Sequence, residues 1–239
     1  MSWVEQSRAL RATVPDAAGL ARLGADLGEP VELVGPLHGG VASSTHELRT
    51  PSRRLVLKRF RDDDEPPPAW ELEWVRLGVA RHAPVPTPDP VAYDPDGRWF
   101  GPAALVMTHL PGAVEYPPPV EALARTLAAL HTTVVPEPVP AMLHRPGYYM
   151  GWEQTRPVPH GVLDALAALR QLAPTLPTVL CHADYHPGNV LVLDGEVTGV
   201  VDWSSARFAP RAFDVALMRG DLAVEPGGDA PERLSLIHI

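Results

Sequence analysis

The 239-residue chain contains one lysine, Lys58, one asparagine, Asn189, and one cysteine, Cys181. A lone cysteine excludes an internal disulfide and fits a reducing, cytoplasmic setting. Basic side chains are also scarce: Lys+Arg is 20 against 29 Asp+Glu, a net charge of −9. That balance argues against nucleic acid as a partner and leans toward a cationic ligand. No apolar run approaches the roughly 18–20 residues of a membrane helix, and the N-terminus has no apolar core of a secretory signal. No membrane association is therefore expected. With 45% hydrophobic and 21% charged residues, the composition is that of a globular domain able to bury a core unaided. Proline is plentiful, at 29 residues. Its clusters at 66–68, 84–90, 117–119 and 136–140 mark loops.

Arg, Val, Ala and Pro dominate, as a GC-rich coding sequence would dictate, so the surviving Lys58 and Asn189 read either as positions where a substitute fails chemically or as chance survivals. Isoleucine occurs only at Ile237 and Ile239, inside Leu234-Ser235-Leu236-Ile237-His238-Ile239. This hexapeptide translates CTGTCTCTTATACACATC, a transposon end used in preparing sequencing libraries. Residues 234–239 are accordingly expected to be foreign, and the native chain to continue past them.

Periodicity predicts a helix over 16–27 with Asp16 as N-cap and Gly28 as terminator, then a strand over 31–34. Gly39-Gly40 and Ser43-Ser44-Thr45 read as a turn, 45–48 as an extended segment and 54–60, RLVLKRF, as a strand. Together these form an antiparallel meander. A helix follows with Trp70, Trp74, Leu77 and Arg81 at helical spacing, then short strands at 91–93 and 103–107. THLPG, 108–112, breaks the pattern as a hinge. Helices are predicted over 120–131 and 161–172, with 134–158 irregular between them. Short apolar runs at 179–181, 190–192 and 199–201 alternate with polar loops.

The densest chemistry lies in CHADYHPGNVLV and VTGVVDWSSA. Asp184, the Asn189 amide five residues on and Asp202 thirteen further supply hard oxygen ligands at strand ends. Mg²⁺ prefers such ligands and is commonly bound together with substrate phosphates. Two carboxylates so spaced can divide the work, Asp184 as base toward a hydroxyl and Asp202 as metal ligand.

HADYHPGN resembles the H-G-D-x-x-x-x-N catalytic loop of the aminoglycoside phosphotransferase and choline kinase superfamily, relatives of the protein kinases. VVDW resembles that superfamily's metal-binding aspartate segment, at the matching distance. The resemblance spans roughly residues 31 to 220. It implies an α+β, bilobal, protein-kinase-like fold, with an antiparallel-sheet N-lobe carrying one main helix and a mostly helical C-lobe with short catalytic hairpins. The lobes are expected at 1–107 and 113–233, the latter incomplete, with the hinge at 108–112.

Carried over residue by residue, the resemblance gives Asp184 the acceptor hydroxyl and gives Asn189 and Asp202 the Mg²⁺ on the triphosphate. Lys58, in LVLK, becomes the lysine that neutralises the α- and β-phosphates, a task a planar guanidinium cannot take over. Its partner is expected to be Glu71, with Glu73 the alternative register. Gly39 and Gly40 would let backbone approach phosphate, and Ser43 or Ser44 would donate to it. Met107 and His109 belong to the segment meeting the nucleobase. His186 either touches the γ-phosphate or shapes the loop. His182 braces that loop, Asp214 anchors it, and Cys181 is a core thiol.

The implied activity is transfer of the γ-phosphate of ATP, with GTP as the alternative, to a hydroxyl of a small molecule of the aminoglycoside-antibiotic type. A kinase of choline, homoserine or a fructosamine is the competing reading. A nucleotide-binding pseudokinase and an inactive truncated fragment are the readings from other classes. The sequence does not define the oligomeric state.

Overall fold

A computed structural model describes residue 10 and residues 12–37, 43–61, 68–144 and 176–223. Helix α1, Ala17–Leu27, starts where the Asp16 carboxylate accepts the Gly19 N–H at 2.6 Å. It stops at Gly28, whose φ of 73° lets its N–H turn back to the last carbonyls.

The chain then builds a five-stranded antiparallel sheet from β1 (Glu32–Pro36), β2 (Ser43–Arg49), β3 (Arg54–Phe60), β4 (Pro90–Asp94) and β5 (Ala104–Thr108). The spatial order is β1-β2-β3-β5-β4. Strand alternation divides β3 between two cores. Leu55 and Leu57 join Leu23, Leu48, Trp99 and Val106 beneath α1, while Phe60 faces the main core. Helix α1 is fastened to that outer face by polar bonds as well. Trp99 Nε1 donates to Asp26 at 2.8 Å, and Arg22 donates to the Trp99 carbonyl.

Helix α2, Ala69–Ala80, buries Leu77, Val79 and Ala80 in the main core. Helix α3, Val120–Leu130, is strongly amphipathic and buries Val120, Leu123, Leu127 and Leu130. Truncating any one of those leucines to alanine would cost on the order of 2–5 kcal/mol. Two hairpin-like pairs follow: β6 (Thr178–Cys181) with β9 (Arg207–Pro210), and β7 (Val190–Leu193) with β8 (Glu196–Val200). Helix α4, Ala212–Ala223, closes the described chain. No helix among the described residues is long and apolar enough to cross a membrane.

The segment before β4 and the segment after β5 both bond to the β7–β8 pair. Ala113 and Val192 exchange backbone hydrogen bonds at 3.0 and 2.8 Å, and Val200 N–H donates to the Pro86 carbonyl at 2.8 Å. Gly112 makes the first of these approaches feasible. Its φ is 98°, and a Cβ there would stand 2.7 Å from the Val192 oxygen.

Three features depart from the sequence expectation. Strand β2 begins at Ser43, because Ser43 and Ser44 pair with Phe60 and Arg59 instead of remaining in the turn. Strand β9 has no alternation to announce it and exists because β6 offers it an edge. A 3₁₀ turn at Ala141–His144 interrupts the stretch expected to be irregular. The helix expected over 161–172 and the tail 234–239 lie outside the described residues.

Candidate active site

Lys58 faces the cleft side of β3, opposite Thr45 of β2. Its ammonium lies 2.7 Å from Glu73 Oε2 on α2 and 3.1 Å from Asp202 Oδ1, just after β8. The sequence-preferred partner, Glu71, is therefore corrected to Glu73. Helical phase is the reason: Glu73, Leu77 and Ala80 share the buried face of α2. Glu71 sits in the first turn, where a carboxylate complements the helix dipole.

Burial alone would lower the Lys58 pKa, but the Asp202 and Glu73 carboxylates outweigh it and hold the ammonium more basic than an ordinary lysine. Lys58 in turn pulls the Asp202 carboxyl down to about 2 against its burial. Burial pushes Glu73 up to about 7, with Lys58 opposing.

Asn189 ends a 3₁₀ turn, Pro187–Asn189, which His186 caps by accepting the Gly188 N–H on Nδ1 at 3.1 Å. A Cβ on Gly188 would meet the His186 ring at 2.8 Å, so the pair is mutually fitted. The Asn189 amide nitrogen donates to the Asp184 carbonyl at 2.9 Å and to Asp184 Oδ2 at 3.2 Å. Both donors are thus turned to Asp184, leaving Oδ1 as the acceptor for a cation.

The loop before Asp184 is held from behind. Asp214 of α4 accepts the Ala183 N–H at 2.7 Å, the His182 N–H at 3.0 Å and a hydrogen bond from His131 Nε2 at 3.0 Å. These bonds maintain Ala183 at a φ of 63°, a left-handed conformation costly for alanine. His182 lies fully buried 2.9 Å from the Val201 carbonyl through Nε2, and burial lowers its pKa below that of an ordinary histidine. Tyr185 ties the loop to α3 by donating to the Leu123 carbonyl at 2.9 Å. Burial also pushes the Cys181 thiol up, well out of reach of a thiolate.

One cleft gathers most of these groups. Its lining combines apolar Leu37, Val56, Met107, Leu110, Leu191 and Val201 with polar Ser43, Thr45, Lys58, Glu73, Asn189 and Asp202. An apolar slot fits a planar base, and clustered cation and hard oxygens fit phosphates with a divalent ion. Met107 and His109 line the wall as expected. Burial and the neighbouring Arg54 lower the His109 pKa below that of an ordinary histidine.

Ser44 is a second correction. It points to the opposite face of β2 and accepts a hydrogen bond from Arg59 at 3.1 Å, because strand alternation separates it from Ser43. Thr45 takes its place in the cleft. The sequence reading missed Thr45, although alternation from Lys58's cross-strand partner would have found it. Asp184 stands beside the cleft, tied to Asn189. Gly39 and Gly40 lie outside the described residues.

A sheet lobe carrying a paired lysine, joined to a hairpin and helix lobe carrying an Asp–Asn–Asp set, defines a kinase-like small-molecule phosphotransferase. The sequence matches the phosphotransferase enzyme family over residues 34–234, and the chain belongs to that family. It is 30% identical to a homoserine kinase of Acidiphilium cryptum over 88% of this chain and 71% of that one. A homoserine kinase of Neisseria meningitidis serogroup B is also 30% identical, over 84% and 69%. Among solved structures, a thermostable mutant of aminoglycoside phosphotransferase APH(4)-Ia, in a ternary complex with ADP and hygromycin B, shares the fold at a TM-score of 0.62. Identity there is 20%, over 92% of this chain and 81% of that one. The macrolide 2'-phosphotransferase MphH of Brachybacterium faecium gives a TM-score of 0.60 at 19% identity, over 91% and 80%. The protein is a small-molecule kinase with an alcohol group as acceptor.

Proposed function

We propose that the chain transfers the γ-phosphate of ATP to the hydroxyl of a small hydroxy amino acid of the homoserine type, with Mg²⁺ held by Asn189 and Asp202. The observation carrying the transfer chemistry is the convergence of Lys58, Glu73, Asn189 and Asp202 on one cleft that apolar side chains also line. Lys58 neutralises non-bridging phosphate oxygens, and Glu73 keeps its long side chain aimed. Asn189 Oδ1 and the Asp202 carboxylate present the hard oxygens. Bound there, Mg²⁺ would neutralise phosphate charge and template the triphosphate. Asp184, steadied by Asn189, accepts the proton of the acceptor hydroxyl as that oxygen attacks. His186 is assigned to shaping the loop.

Homoserine is favoured as acceptor type because the 30% identity to homoserine kinases runs through both lobes. An aminoglycoside acceptor is the second reading, favoured by the fold shared with a hygromycin B complex and by the chain's net charge of −9. The deciding experiment is Mg²⁺-dependent release of ADP with homoserine, choline, fructosamines, aminoglycosides and macrolides in turn, using Asp184→Ala as control. Turnover with homoserine that the control lacks supports the proposal. Turnover confined to an antibiotic transfers it to the second reading, and none with any acceptor overturns it.

A further inference from the structure

Arg76 lies one turn after Glu73 on α2, on the same buried face, and is 5% exposed. Its guanidinium Nη1 donates to the backbone carbonyl of Ser204. Ser204 belongs to the 3₁₀ turn Trp203–Ser205, which directly follows Asp202. Asp202 itself is left-handed, with φ and ψ both 63°. The Ser204 hydroxyl donates to Asp202 Oδ1 at 2.8 Å, the same oxygen that accepts from Lys58 at 3.1 Å. Trp203 secures the other side of the turn, its indole N–H reaching the Val200 carbonyl at 2.9 Å.

These bonds close a circuit: Lys58 to Glu73, along one turn of α2 to Arg76, on to Ser204, to Asp202 and back to Lys58. A buried guanidinium is costly, and an apolar side chain would pack the helix as well. What arginine adds is a directional bond from α2 to the backbone of the turn that presents Asp202.

We propose that Arg76 is a positioning residue, locking helix α2 to the Asp202 turn so that the lysine and the metal-binding carboxylate are set together. The proposal rests on the reading of Asp202 as a metal ligand. Its consequence is thermodynamic. Where one rigid element presets both groups, nucleotide and divalent ion each favour the arrangement the other needs, and their binding is coupled reciprocally.

The test measures ADP affinity by calorimetry with and without Mg²⁺ in the full chain. In the unaltered protein Mg²⁺ should tighten ADP binding. Arg76→Gln and the near-isosteric Arg76→Met should reduce that enhancement about tenfold, the low end of what outer partners of a metal ligand contribute. Metal-free ADP affinity should stay unchanged, and Arg76→Lys should restore part of the enhancement. Equal loss of affinity with and without Mg²⁺ would show a purely structural arginine and overturn the proposal, as would an enhancement left intact. Asp202→Asn separates the two levels: if it too leaves the enhancement intact, the metal assignment itself fails. The unaltered chain gives a reading independent of variant folding. With ¹⁵N-arginine labelling, the Arg76 guanidinium signals should shift when Mg²⁺ is added to the ADP complex, and signals that do not move overturn the proposal.

Discussion

The two halves of the cleft hold their polar groups by different means. In the sheet half, Lys58 and Glu73 sit in the middle of regular elements, a strand flanked on both sides and a twelve-residue helix. Register and helical phase alone decide where they point. In the hairpin half, Asp184, Asn189 and Asp202 sit on irregular backbone: beside a left-handed Ala183, in a 3₁₀ turn, and at a left-handed residue. There, side chains bonded to backbone do the holding, among them Asp214, His186 and Trp203. Regular elements tolerate changes at a distance, whereas a loop fixed by single bonds fails when one is removed. The sheet half should therefore fail through chemistry and the hairpin half also through stability.

The largest effect that would break this contrast is on turnover. Asp184→Ala and Asp202→Ala should each reduce kcat by about a thousandfold, within the range for a base or a charge-stabilising group. Near-full activity in either would mean that the hairpin half does not carry the chemistry. Next comes the choice of glutamate. Glu73→Gln should lower kcat/KM on the order of a hundredfold, because a buried charged partner of Lys58 is lost. Glu71→Gln should leave it unchanged. A reversed order would show that α2 turns by about 160–200° about its axis, two residues of helical phase, when nucleotide binds.

The fold was unevenly legible in the sequence, and the same contrast explains why. The hairpin motifs could be read directly, since Asp184, Asn189 and Asp202 lie close together and their spacing is fixed by the short segments between them. Lys58 could be singled out as the lysine of LVLK, where the resemblance put it. Its partner could not, because the phase of α2 is set by how Leu77, Val79 and Ala80 pack in the core, and proline-rich sequence upstream obscures where the helix begins. Ser44 was misplaced for a related reason. Once β2 starts at Ser43, alternation puts Ser43 and Thr45 in the cleft and Ser44 against Arg59. The roles of Arg76 and Ser204 leave no trace in either motif, because they join segments 128 residues apart through a backbone carbonyl.

A smaller and more selective effect tests the hairpin half alone. Asp214→Asn replaces a carboxylate accepting from two backbone N–H groups and His131 by an amide that cannot accept from all three. It should lower stability by about 3 kcal/mol, seen as a reduced denaturation midpoint. Ala183→Gly should raise stability by about 1 kcal/mol by relieving the left-handed alanine. In combination the two should not be additive, because glycine needs less holding. Strict additivity in that double-mutant cycle would show that Asp214 holds something other than the Ala183 backbone.

The smallest expected effect is a pH dependence in which buried histidines and a buried carboxylate oppose each other. Burial lowers the pKa of His182 and, in the sheet lobe, of His46 and His109. A base with a lowered folded pKa contributes stability that is complete above its unfolded value near 6.5 and is lost as pH falls below it. Glu73 has the opposite sign. With its carboxyl raised to about 7 from 4.5, the folded state holds a proton that the unfolded chain releases between those values, so its contribution grows as pH falls through that window. The unaltered protein should therefore lose only modest Tm between pH 7.5 and 5.5. Glu73→Gln removes the opposing contribution, and its Tm should fall more steeply over the same interval, whatever its absolute stability. Parallel Tm profiles for the two proteins would mean that Glu73 stays ionised beside Lys58 throughout, and that the ion pair has overcome the penalty of its own burial.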